Sequence, residues 1–195
     1  EFSVRRMQAL KPKIAAIAES LIDEMERAGP PVDLVAMLAV KFPSLVMSEL
    51  FGSPYEDHPF IIRCAVARHG LTQSTGEAET KARELADYVL RLIHTKEANP
   101  GDDMVSRIIV EQVHTGHLTR EEFADIGAMI LRAGHDTTTN MIGMGTLLLL
   151  EHDDLRMQLA AEPELVEAAV EELLRFVSPV QFSPRRVALE DVEVG

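Results

Sequence analysis

Apolar positions recur every three or four residues through most of the chain. Val4, Met7, Leu10, Ile14, Ile17, Leu21 and Met25 draw one stripe over 3–28, as an amphipathic helix does. Gly29-Pro30-Pro31 stops it. Asp33 is placed to cap a short apolar helix reaching about Val40. Pro43 opens the next, which ends at Gly52-Ser53-Pro54, and a further helix runs from His58 to about Gly70. A polar connector, 71–76, leads into a long amphipathic helix over 77–97 that stops at Asn99-Pro100-Gly101-Asp102. Asp102 or Asp103 caps a helix over 104–114. Thr119-x-x-Glu122 is a capping box that opens the longest helical pattern, Arg120 to about Glu151. At 1.5 Å per residue that helix spans roughly 48 Å. Asp153 or Asp154 starts another helix, and Pro163 separates it from a last one ending at Ser178-Pro179. From Val180 the pattern changes. Val187, Leu189, Val192 and Val194 lie near turn residues, which predicts one or two strands. The expectation is therefore a mainly α chain, one domain over 1–195, with a helical core 1–179 and a short β segment at 180–195.

The middle of the longest helix breaks its own rules. Residues 133–138 are Ala-Gly-His-Asp-Thr-Thr. Gly costs a helix interior about 1 kcal/mol, and β-branched Thr somewhat less. A Thr hydroxyl also bends a helix when it bonds back to a carbonyl one turn earlier. Such local strain often marks function, sometimes as a π-bulge. Met129, Ala133, Asp136 or Thr137, and Asn140 share a face. Ala133 and Gly134 leave room for a flat or bulky group. Asp136 beside Thr137 joins an acid to a hydroxyl, a pair able to relay protons to a buried centre. The plainer reading is a kink whose threonines are satisfied by backbone carbonyls, and both stand at this point.

Composition narrows the classes. The 195 residues are 46% hydrophobic and 26% charged, ordinary for a globular chain. Aromatics are 5% and Trp is absent, so helix packing is favoured over a β-sandwich. A net charge of −13 argues against non-specific binding to nucleic acid or anionic membranes. No apolar run is long enough for a transmembrane helix, and no signal pattern is present. The single cysteine, Cys64, excludes an internal disulfide and suits a reducing cytoplasm. The chain opens with Glu1, inside an amphipathic pattern, which is expected of a piece of a longer protein. There is no P-loop, dinucleotide-binding glycine fingerprint or nucleophile elbow. Glu111-x-x-His114 is one Glu-x-x-His where a di-iron bundle needs two.

Ala133-Gly134-His135-Asp136-Thr137, followed later by Glu172-Leu173-Leu174-Arg175, resembles the paired motifs of the cytochromes P-450. Phe2 to Met7, Glu49 to Asp57 and Arg186 to Val192 are similar to flanking segments of the soluble bacterial branch. The match covers essentially the whole chain, from the end of that family's third helix to the strand after its Glu-x-x-Arg helix. The resemblance implies a partial P-450-like multi-helix domain around haem b. It implies insertion of one oxygen atom from O2 into a small organic substrate, with electrons from a ferredoxin and its reductase.

By the same resemblance, Thr137 is the threonine that hydrogen-bonds dioxygen and Asp136 the acid that feeds protons to it. Ala133 and Gly134 would border the haem. Arg186 would pair with a haem propionate, or else be a surface strand arginine. Met129, Arg132, Val180 and Phe182 would approach the substrate. Arg132 would meet an anionic substrate group or snorkel to the rim. Glu172 and Arg175 would be a buried structural pair, although as an i, i+3 pair alone they are uninformative.

The family's cysteine-ligand loop, the source of the thiolate that activates dioxygen, is not among these residues, so no metal ligand is assigned. Cys64, among Ile61, Ile62, Ala65 and Val66, reads as a buried structural cysteine. His135 would pack behind the helix or modulate Asp136. The competing expectation is a non-catalytic helical chain that binds a partner and no haem.

Overall fold

The computed structural model describes residues 2–66, 75–180, 188 and 190. Eight α-helices follow in order among them: α1 (Val4–Ala28), α2 (Lys41–Phe51), α3 (His58–Val66), α4 (Thr75–Ala98), α5 (Met104–Ile108), α6 (Arg120–Glu151), α7 (Asp153–Ala161) and α8 (Val166–Val177). Two π-helical turns, Val35–Ala39 and Ile109–Val113, adjoin α2 and α5.

Helix ends follow the local chemistry. Ser3 accepts the Arg6 amide at the start of α1, Asp33 accepts the Ala36 amide, and Asp103 accepts the Ser106 amide. Thr119 and Glu122 form the reciprocal capping box of α6. Gly52 ends α2 in the left-handed region at φ 66°, where a Cβ would sit 2.5 Å from the Asp103 carboxylate. Asp103 also pairs with Lys96 at 2.6 Å. One buried carboxylate thereby joins the ends of α2 and α4 to the start of α5.

The 32-residue α6 is the axis of the structure. α2, α3 and α4 pack along it, α1 packs on α2, and α7 and α8 meet its C-terminal half. The core joins Met47, Leu50 and Phe51 of α2, Ile61 and Cys64 of α3, and Leu85, Val89 and Ile93 of α4 to Phe123, Ala128 and Leu131 of α6. Small residues let the helices approach. A Cβ on Gly127 would lie 2.8 Å from Val89 Cγ1, and one on Gly134 would lie 2.7 Å from Met47 Sδ.

The structure corrects the expected β segment. The described residues contain no strand, and Val180, Ala188 and Glu190 are irregular. A strand is stable only where a neighbour takes up its backbone hydrogen bonds, and no described segment supplies one. Val187, Leu189, Val192 and Val194 lie outside the described residues, as do 67–74, where the helix expected from His58 was to end and the connector to follow. The strained middle of α6 is not a π-bulge. The helix is continuously α there, and π geometry appears instead at the two short turns.

Candidate functional site

Two faces of α6 divide the motif between them. Phe123, Ala124, Gly127, Ala128, Leu131 and His135 are buried toward α2, α3 and α4. On the other side Ile126, Met129, Ala133, Thr137, Asn140 and Met144 recur at spacings of three and four, forming one stripe. That stripe is open: Met129 is 53% exposed and Met144 52%. Ala133 is the smallest side chain at its middle, and Thr137 stands one turn beyond. Ala133 itself is exposed, as Met129 one turn before it is. At Gly134 the clearance faces inward and is taken up by Met47, so Gly134 serves the contact between α2 and α6.

The Thr137 hydroxyl donates to the Ala133 carbonyl at 3.0 Å. This is the backbone-satisfied state anticipated as the plainer reading, and it leaves the oxygen lone pairs directed off the helix to accept. Asp136 is half-buried at the edge of the stripe, with its carboxylate 3.2 Å from His135 Nδ1. The His135 ring is 1% exposed, and its Nε2 lies 3.2 Å from the Val40 carbonyl. His135 therefore both packs behind α6 and touches Asp136, which are the two roles the sequence left open. Arg132 is half-buried one turn before Asp136.

Beyond Thr137, α6 and α8 enclose a groove of about 460 Å³ lined by Thr137, Met141, Gly145, Leu149, Val170 and Leu173. Spacing within single helices could not reveal it, because its walls come from two separate helices, α6 and α8. Val180 follows α8 and is exposed, while Phe182 and Arg186 lie outside the described residues.

Glu172 and Arg175 form a bidentate pair at 2.7 and 2.5 Å. The hydrogen bonds hold Glu172 below the ordinary carboxylate range and raise Arg175. The resemblance implied a buried pair, but these side chains are 60% and 69% exposed. No described residue covers that face of α8, so solvent screens the pair.

Cys64 is buried in α3, and its Sγ approaches Glu84 at 3.7 Å. Burial, and then the Glu84 charge, push its thiol up. A thiol held protonated in an apolar site is a packing residue. No group of three or more metal-ligating side chains occurs among the described residues, and no described helix is long and apolar enough to cross a membrane.

No protein-family model matches the chain. Individual relatives do. Pentalenic acid synthase of Streptomyces avermitilis is 43% identical over 196 residues, covering all of this chain and 48% of the relative. Cytochrome P-450 GfsF of Streptomyces halstedii is 40% identical over the whole chain and 47% of its own length. The crystal structure of a CYP105P1 point mutant superposes with a TM-score of 0.87 at 41% identity, over all of this chain and 50% of that one. Along its whole length the chain is similar to cytochromes P-450. It spans about half the length of the curated relatives it matches. Because the likeness runs through α1 to α8 without a break, the shared feature is the helical frame around α6 and not one motif.

Proposed function

We propose that the chain carries the oxygen-side helix of a haem-dependent monooxygenase. The reaction converts a C–H bond, O2, two electrons and two protons into an alcohol and water. The observation that carries this reading is the open stripe of α6, with Thr137 beside Ala133 and the half-buried Asp136 at its edge. The likeness to cytochromes P-450 just described supports it.

The residues present suit one side of a flat apolar group. The stripe is apolar except at Thr137 and Asn140, it is uncovered, and its narrowest side chain, Ala133, sits where a ring system would approach closest. When bound, the haem iron supplies dioxygen binding and reduction. A thiolate ligand would have to come from a residue other than Cys64, the chain's one cysteine, which is buried among α3 and α4 side chains. Arg186 is assigned to a haem propionate on the resemblance alone.

The protein's own part is proton control. Thr137 holds an accepting and donating oxygen at the open stripe, with its proton parked on the Ala133 carbonyl until it is needed. Asp136 takes a proton from its inner side and passes it toward Thr137. Met129 and the groove between α6 and α8 present apolar surface, which admits an organic substrate and excludes the water that would scatter protons. Arg132, at the rim, meets an anionic group of the substrate or keeps its charge in solvent. Electrons come from a ferredoxin-type partner. Glu172 and Arg175 have a structural role.

The test uses the full-length protein. Its reduced carbonyl adduct is expected to show the red-shifted Soret band of thiolate-ligated haem. Thr137→Ala is expected to keep that band while product per electron falls on the order of 100-fold, the electrons appearing in hydrogen peroxide. A Thr137→Ala protein that couples electrons to product as well as the parent does would sink the assignment.

A further inference from the structure

His135 is the one buried side chain of α6 whose two recorded hydrogen-bond partners are both oxygen acceptors. Nε2 lies 3.2 Å from the Val40 carbonyl, and Nδ1 lies 3.2 Å from Asp136 Oδ1. A carbonyl only accepts, so Nε2 carries a hydrogen. A neutral imidazole has one N–H, and an ionised carboxylate has none to give. Both contacts are hydrogen bonds at once only when the pair holds one proton between Nδ1 and Oδ1 besides the Nε2–H, and that proton is on the ring when the carboxylate is ionised. A ring that is 1% exposed pays heavily for charge unless it is paired, and the Asp136 carboxylate supplies that pairing.

We propose that His135 is an imidazolium anchored on Val40, and that it is the positioning residue that holds the proton Asp136 delivers. This rests on the reading of Asp136 and Thr137 as a proton relay. The transfer balances simply. The Nδ1 proton moves to Oδ1, leaving a neutral ring whose Nε2–H still donates to Val40. Asp136 then passes one proton toward Thr137 and returns to carboxylate, and solvent reloads the ring through the half-buried acid. The anchor keeps the ring from turning away between the two states.

The surrounding groups allow this. The π-helical turn Val35–Ala39 carries no charged side chain, and Asp33 before it accepts the Ala36 amide. Lys41, next to Val40, is engaged by Glu24 at 3.1 Å. The buried residues of α2 include Ser44, Met47 and Ser48, which are neutral, and Met47 packs against Gly134 of α6. On α6 itself Arg132 precedes Asp136 by one turn.

The test is nitrogen NMR of the full-length protein labelled with ¹⁵N-histidine, in the diamagnetic ferrous carbonyl state. Both His135 nitrogens are expected in the protonated range at neutral pH. Asp136→Asn is expected to move Nδ1 alone into the unprotonated range, because the Asn amide then donates to it while Nε2 keeps Val40. An Nδ1 already unprotonated in the parent, and unmoved by Asp136→Asn, overturns the proposal. His135→Gln assigns the signal. If that variant does not fold, the parent and Asp136→Asn spectra still decide. Unchanged coupling of electrons to product in both Asp136→Asn and Thr137→Ala would remove the relay, and His135's part in it, whatever the ring's protonation.

Discussion

The two halves of α6 have different surroundings. From Phe123 to His135 the inner face is sealed by α2, α3 and α4, and six of its residues there are buried. Beyond Asp136 one residue of α6, Gly145, is buried, and α7 and α8, which pack on this half, have none. Yet α8 is as clearly two-faced in sequence as any helix here, and Val170, Leu174 and Phe176 lie exposed on it, Phe176 at 63%. Amphipathic patterning thus says which face wants cover and not whether cover arrives. The motif residues sit at the change, where a helix held rigidly on one side offers an open stripe on the other.

The comparison breaks first under truncation. Leu131→Ala, in the sealed half, is expected to lose about 2–5 kcal/mol, because the cavity cannot collapse. Leu174→Ala on α8 should lose less than about 1 kcal/mol. Denaturant midpoints for the two variants measure the contrast, and similar losses would mean that α8 is covered in solution.

A pair of glycines sharpens it. At Gly127 a Cβ would meet the stiff Val89 at 2.8 Å, whereas at Gly145 it would meet Leu173 at an ordinary 3.6 Å. Gly127→Ala is expected to destabilise by roughly 1–3 kcal/mol from overpacking. Gly145→Ala should stabilise by up to about 1 kcal/mol through helix propensity. Opposite shifts in melting temperature would confirm the asymmetry, and two losses would place α8 closer to α6 than the structure has it.

The smallest expected effect is electrostatic and lies at the start of α6. Arg120 holds the Glu97 carboxylate below its ordinary value of 4.5, chiefly through hydrogen bonds, with the Arg120, His94 and His114 charges adding to it. The folded-state value lies below the unfolded one. The contribution is therefore complete above about pH 5 and is lost as pH falls through the folded value. Arg120→Ala is expected to cost a small amount of stability at neutral pH and none below the folded value, which flattens this part of the acid stability slope. Urea midpoints across that range are the readout.

Much of the fold was legible. Thr119, Glu122 and the apolar spacing mark α6 at Arg120–Glu151, and Ser3 and Gly29 bound α1, because capping is a contest between neighbours in sequence. The site was legible in part. Ala133 and Thr137 share one face of α6, with Asp136 at its edge, as helical spacing implied, but Gly134 turned inward to Met47, since which face a small residue serves depends on the neighbouring helix. The exposed Glu172–Arg175 pair and the absence of a strand among the described residues have a related cause, in that burial and sheet pairing both require a second segment.

What the sequence determined by itself is local: where helices begin and end, which residues share a face, and that an acid and a hydroxyl stand side by side on a long helix. Those follow from 3.6-residue periodicity and from hydrogen bonds a few residues long. Only the tertiary structure decided that α2 lies close enough to fill Gly134, that the Val40 carbonyl meets the His135 ring 95 residues away, and that the Thr137 face stays open. Those depend on which helices pack against which, and the periodicity of a single helix carries no record of its neighbour.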